Sequence, residues 1–380
     1  MKTGKINNIV FAGRFEDKEN LSGPGKFSKR IFENYHVGGN SENPVFIQYF
    51  FDGNKYSSGK KLFGLEESEH VGFKVYRAGL FKFYKLLKQQ RPEIIHITAF
   101  ERFSLVALLY KLLNSTKAVY TSHGTLKYEN AELKKLPFMY KLKDSICERL
   151  LFRFSDLVVF PSEQASQISA KYYKLADRRT TIIPNGIDSI FQQTRQVTDT
   201  AEQDGRPLKA VFIYKNVLND SGLQFLKKYL QSVDSKIKIY VISDTEKIFA
   251  GSEPGIEIIP LMSAEKLAEF YRDKDIFLSL NEYDTFSIST AEAIASGLIP
   301  VVTRQTGISR FIKNEVNGFT LEFGDTQTLG GILNKIYTMN KNDRSIMKKS
   351  AAKIYSTLNW NNISELYSKQ YIRLCGEVND

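Results

Sequence analysis

The stretch "DIFLSLNEYDTFSISTAEAIASGLIPVVT", Asp275–Thr303, decides the fold. It begins as a short apolar run and passes through a polar turn. A helix then opens, and a second apolar run, "IPVVT" (Ile299–Thr303), closes the stretch. Two strands joined by a helix make a crossover unit, and such units build parallel sheets.

The same alternation extends in both directions. Towards the N-terminus, strands are expected at "NIVFAGR" (Asn8–Arg14), "PVFIQYFF" (Pro44–Phe51) and "EIIHIT" (Glu93–Thr98). "KAVYTSHG" (Lys117–Gly124), "DLVVFPS" (Asp156–Ser162) and "TTIIPNG" (Thr180–Gly186) continue the series. Helical spacing appears in "GPGKFSKRIFENY" (Gly23–Tyr35) and in "AGLFKFYKLLKQQRP" (Ala78–Pro92), which Pro92 stops. The polar run Gln192–Pro207 has no apolar period and reads as a linker. Beyond it come "KAVFIYK" (Lys209–Lys215), "KIYVIS" (Lys238–Ser243), "GIEIIP" (Gly255–Pro260) and "GFTLEF" (Gly318–Phe323). The expectation is an α/β chain of two doubly wound domains, 1–188 and 208–357, with a linker at 189–207. A final helix over 358–380 follows, with Asn359 as its N-cap. Ligands of such sheets bind beyond the C-terminal ends of the strands, so a cleft between the domains is the expected site.

Composition narrows the function. Of 380 residues, 42% are hydrophobic and 25% charged, as in globular proteins. No apolar run is long enough to span a bilayer, and "MKTGKINNIVFAGRF" reads as a first strand rather than a signal peptide. Cys147 and Cys375 have neither disulfide nor metal spacing, which makes a reducing cytoplasm the expected location. Net charge is +11, and residues 1–190 hold all of the excess, with 30 Lys and Arg against 19 Asp and Glu. A one-sided basic field suits an acidic partner: nucleic acid, an anionic membrane or a phosphorylated acceptor. A lysine-rich composition with no partner stays open beside it. No basic stripe interleaved with aromatics points to nucleic acid. The segment Leu126–Phe154 mixes cations with Leu, Phe, Met and Tyr, which suits the inner face of a cell membrane as well as a helix packed on its domain.

Asp284 and Glu292 are the chemical feature of the opening stretch. The helix start offers free N–H groups and a positive dipole end, a natural phosphate site, and Ser287, Ser289 and Thr290 add hydroxyls. Asp284 in the loop suits a sugar hydroxyl, and Glu292 suits a ribose diol. A structural reading stands beside this, because Ser289-x-x-Glu292 fits a capping box. "DKD" (Asp273–Asp275) reads as a helix-to-strand turn, and no His, Cys or Asp cluster has metal-ligand spacing.

"FSDLVVFPSEQASQISAKYY…TTIIPNGIDSIF" and "DIFLSLNEYDTFSISTAEAIASGLIPVVTRQTGISRFIKNEVNGF" together resemble the retaining glycosyltransferases of family 4, of GT-B fold and E-x7-E motif. The order of features over nearly the whole chain carries the resemblance. It implies two Rossmann-like domains facing a central cleft, with the C-terminal helix crossing back to the N-terminal one. It also implies a UDP- or GDP-linked sugar donor and a carbohydrate or lipid-linked acceptor, with no cofactor and no metal. Carried over, Glu292 would hold the ribose, Asp284 the donor sugar, and the turn Phe286, Ser287, Ile288 and Ser289 the diphosphate. Asn185 and Gly186 would close the strand at the hinge. His123 would face the sugar, and Gly23 and Gly25 would let a loop approach phosphate and acceptor. The sequence departs from the family in three places. The first acid is Asp284 rather than Glu. Lys215 stands at the Arg of the phosphate clamp and Ser221 at its Lys, with Arg304 or Arg310 as candidate substitutes. Lysine lacks the bidentate fork of arginine. The implied activity is retaining transfer in cell-surface polysaccharide assembly. A non-catalytic glycan-binding or partner subunit and a nucleotide-sugar epimerase are the alternatives.

Overall fold

A computed structural model describes residues 6, 8–15, 23–35, 44–50, 58–129, 138–175, 180–192, 206–214, 220–231, 237–245, 248 and 255–376. The chain forms two compact units. The first comprises Met1–Gly186 and Trp360–Asp380, the second Ile187–Asn359.

The first unit starts β1 (Ile9–Gly13), α1 (Gly23–Tyr35), β2 (Val45–Tyr49), α2 (Ser58–Phe63), β3 (Leu65–His70), β4 (Phe73–Ala78). It continues α3 (Leu80–Gln90), β5 (Ile94–Ile97), α4 (Ser104–Leu113), β6 (Lys117–Thr121), α5 (Leu126–Tyr128). Then come α6 (Phe138–Phe154), β7 (Leu157–Phe160), α7 (Glu163–Tyr172) and β8 (Thr180–Ile182). The sheet order is β3-β4-β2-β1-β5-β6-β7-β8. All pairs are parallel except the edge hairpin β3–β4. The order reverses between β1 and β5, and that switch point is where such sheets bind ligands.

The second unit runs β9 (Leu208–Tyr214), α8 (Ser221–Leu230), β10 (Ile237–Ser243), β11 (Ile256–Pro260), α9 (Ala264–Tyr271) and β12 (Ile276–Ser279). It ends α10 (Ile288–Ala295), β13 (Ile299–Thr303), β14 (Phe319–Leu321), α11 (Thr326–Thr338), α12 (Lys341–Ala352) and α13 (Ile354–Leu358). Its sheet is wholly parallel, ordered β11-β10-β9-β12-β13-β14, with the switch point between β9 and β12. In chain order this is the doubly wound 3-2-1-4-5-6 arrangement.

The last helix, α14 (Trp360–Gly376), belongs to the first unit and packs on α1. Aromatic rings and a buried polar chain hold it there. His96 of β5 bonds Thr121 Oγ1 at 2.8 Å through Nε2 and the Tyr371 hydroxyl at 2.7 Å through Nδ1. Tyr367 lies against the same imidazole, ring centroids 5.3 Å apart, and its hydroxyl meets Thr121 at 3.1 Å. Tyr371→Phe leaves a buried ring nitrogen unpaired, a loss of about 1–3 kcal/mol, so a clear drop in melting temperature is expected. An unchanged melting temperature in thermal denaturation would show that this chain of bonds does not hold the helix. Asn359, expected as an N-cap, donates from its side chain back to the Tyr355 and Ser356 carbonyls at 3.3 and 3.2 Å, closing the end of α13.

Candidate active site

In the second unit the loop after β12 lies at the switch point. Thr303 Oγ1 holds its second residue by bonding the Asn281 carbonyl at 2.5 Å. Ser221, at the start of α8, accepts the Glu282 N–H at 3.2 Å. A Cβ on Gly222 would fall 2.6 Å from Asn281 Oδ1, so glycine permits the close approach of the start of α8 to the loop after β12. Lys215 lies outside the described residues.

Asp284 turns inward. Its Oδ1 accepts the N–H groups of Phe286 at 3.0 Å and Ser287 at 2.8 Å, an Asx-type turn. The Ser287 hydroxyl and the Asn281 side chain also bond this carboxylate. Surrounding protein pushes its pKa up, against the pull of those hydrogen bonds. On the other side the Asp284 carbonyl accepts the Gly307 N–H at 2.9 Å, pinning the loop to the chain after β13. The turn forces Ser287 to φ 68°, a left-handed conformation that costs about 1–2 kcal/mol outside glycine.

Helix α10 therefore begins at Ile288 with Ser287 as N-cap, and the Ser287 hydroxyl meets Thr290 Oγ1 at 2.6 Å. The capping box centred on Ser289 does not form, because the Asx turn delivers the chain into the helix two residues earlier. Two of the N–H groups expected to face diphosphate, those of Phe286 and Ser287, bond Asp284 instead. The N–H groups of Ile288, Ser289 and Thr290 belong to the first turn and have no intrahelical acceptor. Glu292 sits a turn deeper and is 4% exposed. Its charge adds to burial in raising the pKa of Tyr271, at the end of α9.

The first unit gathers a second cluster at its own switch point. Thr98, just past β5, is its centre. The His123 imidazole lies 2.8 Å from the Thr98 carbonyl through Nε2. A carbonyl only accepts, so that nitrogen carries the proton. Burial pushes the His123 pKa down to about 4, so the ring is neutral near pH 7. Phe27 of α1 packs edge-on to it at 4.6 Å. Gly23 and Gly25, expected in a loop, form the first turn of α1, and Ser28, bonded to Thr98 Oγ1 at 2.7 Å and to the Pro24 carbonyl at 2.8 Å, ties that turn to the same point. Gly13 ends β1 there, and a Cβ on it would fall 2.4 Å from Thr98 Oγ1.

Asn185 is buried, and its Oδ1 has no partner among the described residues. Gly186 has a packing reason, since a Cβ there would lie 2.3 Å from the Trp360 ring. Arg304 pairs with Glu322 at 3.1 Å and Arg310 stacks over Phe311. In "DKD", Asp275 is buried between Lys348 at 2.9 Å and Arg206 at 3.2 Å, a structural ion cluster. Among the described residues no His, Cys, Asp and Glu group could hold a metal ion.

Thr98 and Asn281 were not singled out from sequence. Their signal was positional, each being the first residue or two beyond a strand at a switch point.

Comparison with known proteins gives one match for each sheet. The Glycosyltransferase Family 4 profile matches residues 67–190, and that of Glycosyl transferases group 1 matches residues 248–354. The chain belongs to the GT-B glycosyltransferases, family 4. A lipopolysaccharide 1,2-N-acetylglucosaminetransferase of Salmonella typhimurium is 23% identical over 54% of this family 4 chain and 60% of its own length. The UDP-Gal:alpha-D-GlcNAc-diphosphoundecaprenol alpha-1,3-galactosyltransferase of Escherichia coli is 20% identical over 65% of the chain and 66% of its own. The chain thus spans about three fifths to two thirds of the length of these relatives. In fold it is similar to sucrose-phosphate synthase from Thermosynechococcus elongatus, with TM-score 0.75 at 13% identity, covering 98% of this chain and 100% of that one. Anabaena HepE in complex with UDP-glucose gives 0.69 at 16% identity, with the same coverage.

Proposed function

We propose that this chain moves a sugar from a nucleoside diphosphate sugar to a carbohydrate or lipid-linked glycan acceptor, with retention of configuration and without a metal, in cell-surface polysaccharide assembly. The observation that carries the reading is the acid-bearing turn and helix start at the switch point of the second sheet, in a chain of this family. The named activities of the Salmonella and Escherichia coli relatives, and the UDP-glucose held by HepE, support the donor and acceptor classes.

In this reading the first-turn N–H groups of Ile288, Ser289 and Thr290 and the helix dipole stabilise the diphosphate as its charge develops. Lys215 adds a cation and Glu292 accepts from the ribose. The leaving phosphate itself takes the acceptor's proton, so no side-chain base is assigned. His123 is assigned to the catalytic step as a neutral imidazole, and the Gly23–Gly25 turn to acceptor and phosphate. Asp284 acts by shaping the turn.

The test is nucleotide release from UDP- and GDP-sugars with a glycan extract as acceptor, beside thermal stabilisation by UDP and GDP. Release and stabilisation are expected, and Glu292→Ala raises the donor KM about tenfold or more, the worth of two lost hydrogen bonds. Neither release nor stabilisation with any nucleotide sugar would sink the reading. Ser221 favours one alternative, a non-catalytic partner, because it supplies an acceptor for Glu282 where a clamp cation is expected. Nucleotide binding without turnover would select it.

A further inference from the structure

The helices α3, α4 and α6 cover one face of the first sheet, and α2 packs beside α3. Their inward sides build the core through Phe83, Leu87, Leu108 and Leu151. Their outward sides are also apolar, which a solvent-facing layer has no reason to be. On α4, Leu109, Leu112 and Leu113 share one stripe and are 51–64% exposed. On α6, beside it, Met139, Leu142 and Ile146 lie at i, i+3 and i+7 and are 42–57% exposed. At the end of α2, Phe63 stacks on Phe81 of α3, ring centroids 4.9 Å apart, with both rings more than half exposed. An apolar face of this extent on one layer marks an interaction surface.

Its charge identifies the partner. The helices α2, α3 and α4 contain no Asp or Glu, and six lysines stand on them; Lys60 pairs with Glu66 of β3 at 2.5 Å and Lys111 with Asp156 at 3.2 Å, so Lys82, Lys85 and Lys88 of α3 carry the basic flank. The outer stripe of α6 changes from apolar to basic along its length, ending in Arg149 and Arg153. Of the two acids on α6, Asp144 is paired with Arg102 at 2.8 Å, and Glu148 is buried. Protein interfaces deplete lysine at their centres. Lysines interleaved with apolar tips suit a bilayer, where the stems lie along hydrocarbon and the ammonium groups reach the headgroups. Each cation adds about 1 kcal/mol next to an anionic surface. No helix among the described residues is long and apolar enough to cross a membrane.

We propose that the outer face of α4 and α6, flanked by the basic helix α3, docks the protein on an anionic lipid surface. The proposal does not depend on the transferase reading, since nucleotide binding is measured separately. Flotation of the full chain with phosphatidylcholine vesicles, with and without about one third phosphatidylglycerol, tests it. Binding to the anionic vesicles is expected, weakening steeply with salt, with little recovery on neutral ones. Leu112→Glu with Leu113→Glu, and separately Leu142→Glu with Ile146→Glu, should each weaken binding at least tenfold. Lys143→Gln with Arg153→Gln should weaken it on anionic vesicles alone. All these positions are exposed, so melting temperatures and UDP or GDP stabilisation should match the wild type. Failure of the wild type to bind anionic vesicles at low salt overturns the proposal, as does unaltered binding by the variants. A dimer in light scattering that these substitutions dissociate, without vesicle binding, assigns the face to a second copy of the chain instead.

Discussion

Asp284→Ala is expected to lower kcat/KM about 10²–10³-fold, whereas Asp284→Asn stays within about tenfold of the wild type. The reasoning starts from the two N–H groups that share its Oδ1, those of Phe286 and Ser287. Alanine leaves both without an acceptor, at about 1–3 kcal/mol each. It also frees Ser287 from the left-handed conformation that aims the start of α10. The first-turn N–H groups and Glu292 then lose their placement, and misplacement of about 1 Å costs on the order of 10²-fold. Asparagine keeps an oxygen where Oδ1 stands and so keeps the turn. If the carboxylate acted by its charge on the transferred sugar, both variants would lose kcat equally. Equal loss in the two, with alanine unchanged in melting temperature, would overturn the turn-shaping role. Ser287→Gly in the Asp284→Ala background should recover part of the stability, because glycine accepts φ 68° without strain.

The contrast between Asp284 and Glu292 shows what the sequence could say. Strand runs such as "IPVVT" and "DIFLSL" are apolar throughout because both faces of a parallel sheet are covered, and they read directly. The pairing of an acid in the loop with an acid in the helix was visible as spacing. Which way Asp284 points was not. The choice between an outward sugar contact and an inward Asx turn depends on backbone dihedrals that spacing does not encode. The edge hairpin β3–β4 was missed for a related reason. "LEESEH" is charged and solvent-facing, and its turn uses Val71 and Gly72 at φ 52° and 80° without an Asn-Gly signal. Leu126–Phe154 read as a basic amphipathic segment, and its buried acid was invisible because the segment folds back so that its own first residues, Leu126 and Lys127, meet Glu148, with Tyr173 closing over it from beyond.

That acid, Glu148, gives the other large effect. It is fully buried in α6, and its carboxylate accepts the Leu126 N–H at 2.8 Å, the Lys127 N–H at 3.3 Å and the Tyr173 hydroxyl. Burial pushes its pKa up to about 7, those hydrogen bonds pull it down, and the nearby Glu129 adds to the rise. Unfolded, a glutamate titrates near ~4.3. The folded state therefore binds the extra proton between these values. Glu148 stabilises fully below about pH 4.3, and that contribution, on the order of 3 kcal/mol, is lost as pH rises through about 7. His96 and His123 act in the opposite sense. Burial lowers their pKa values to about 3 and about 4, with the charge of His123 adding to the effect on His96, so their stability is lost as pH falls below about 6.5. Two histidines outweigh one glutamate, so the wild-type melting temperature should rise with pH between about 4.5 and 6.5, at about half the slope the histidines alone would give. Glu148→Gln mimics the protonated acid and removes the opposing slope, so its melting temperature should climb about twice as steeply over that range. Glu148→Ala leaves three donors without an acceptor and should melt on the order of 10 °C lower. A Gln variant whose profile runs parallel to the wild type would show that Glu148 does not titrate there. The start of α5 that Glu148 fastens lies three residues after His123, so the cost of a desolvated carboxylate above neutral pH falls on the chain beside the assigned imidazole. Activity lost at alkaline pH in the wild type should accordingly be retained in Glu148→Gln.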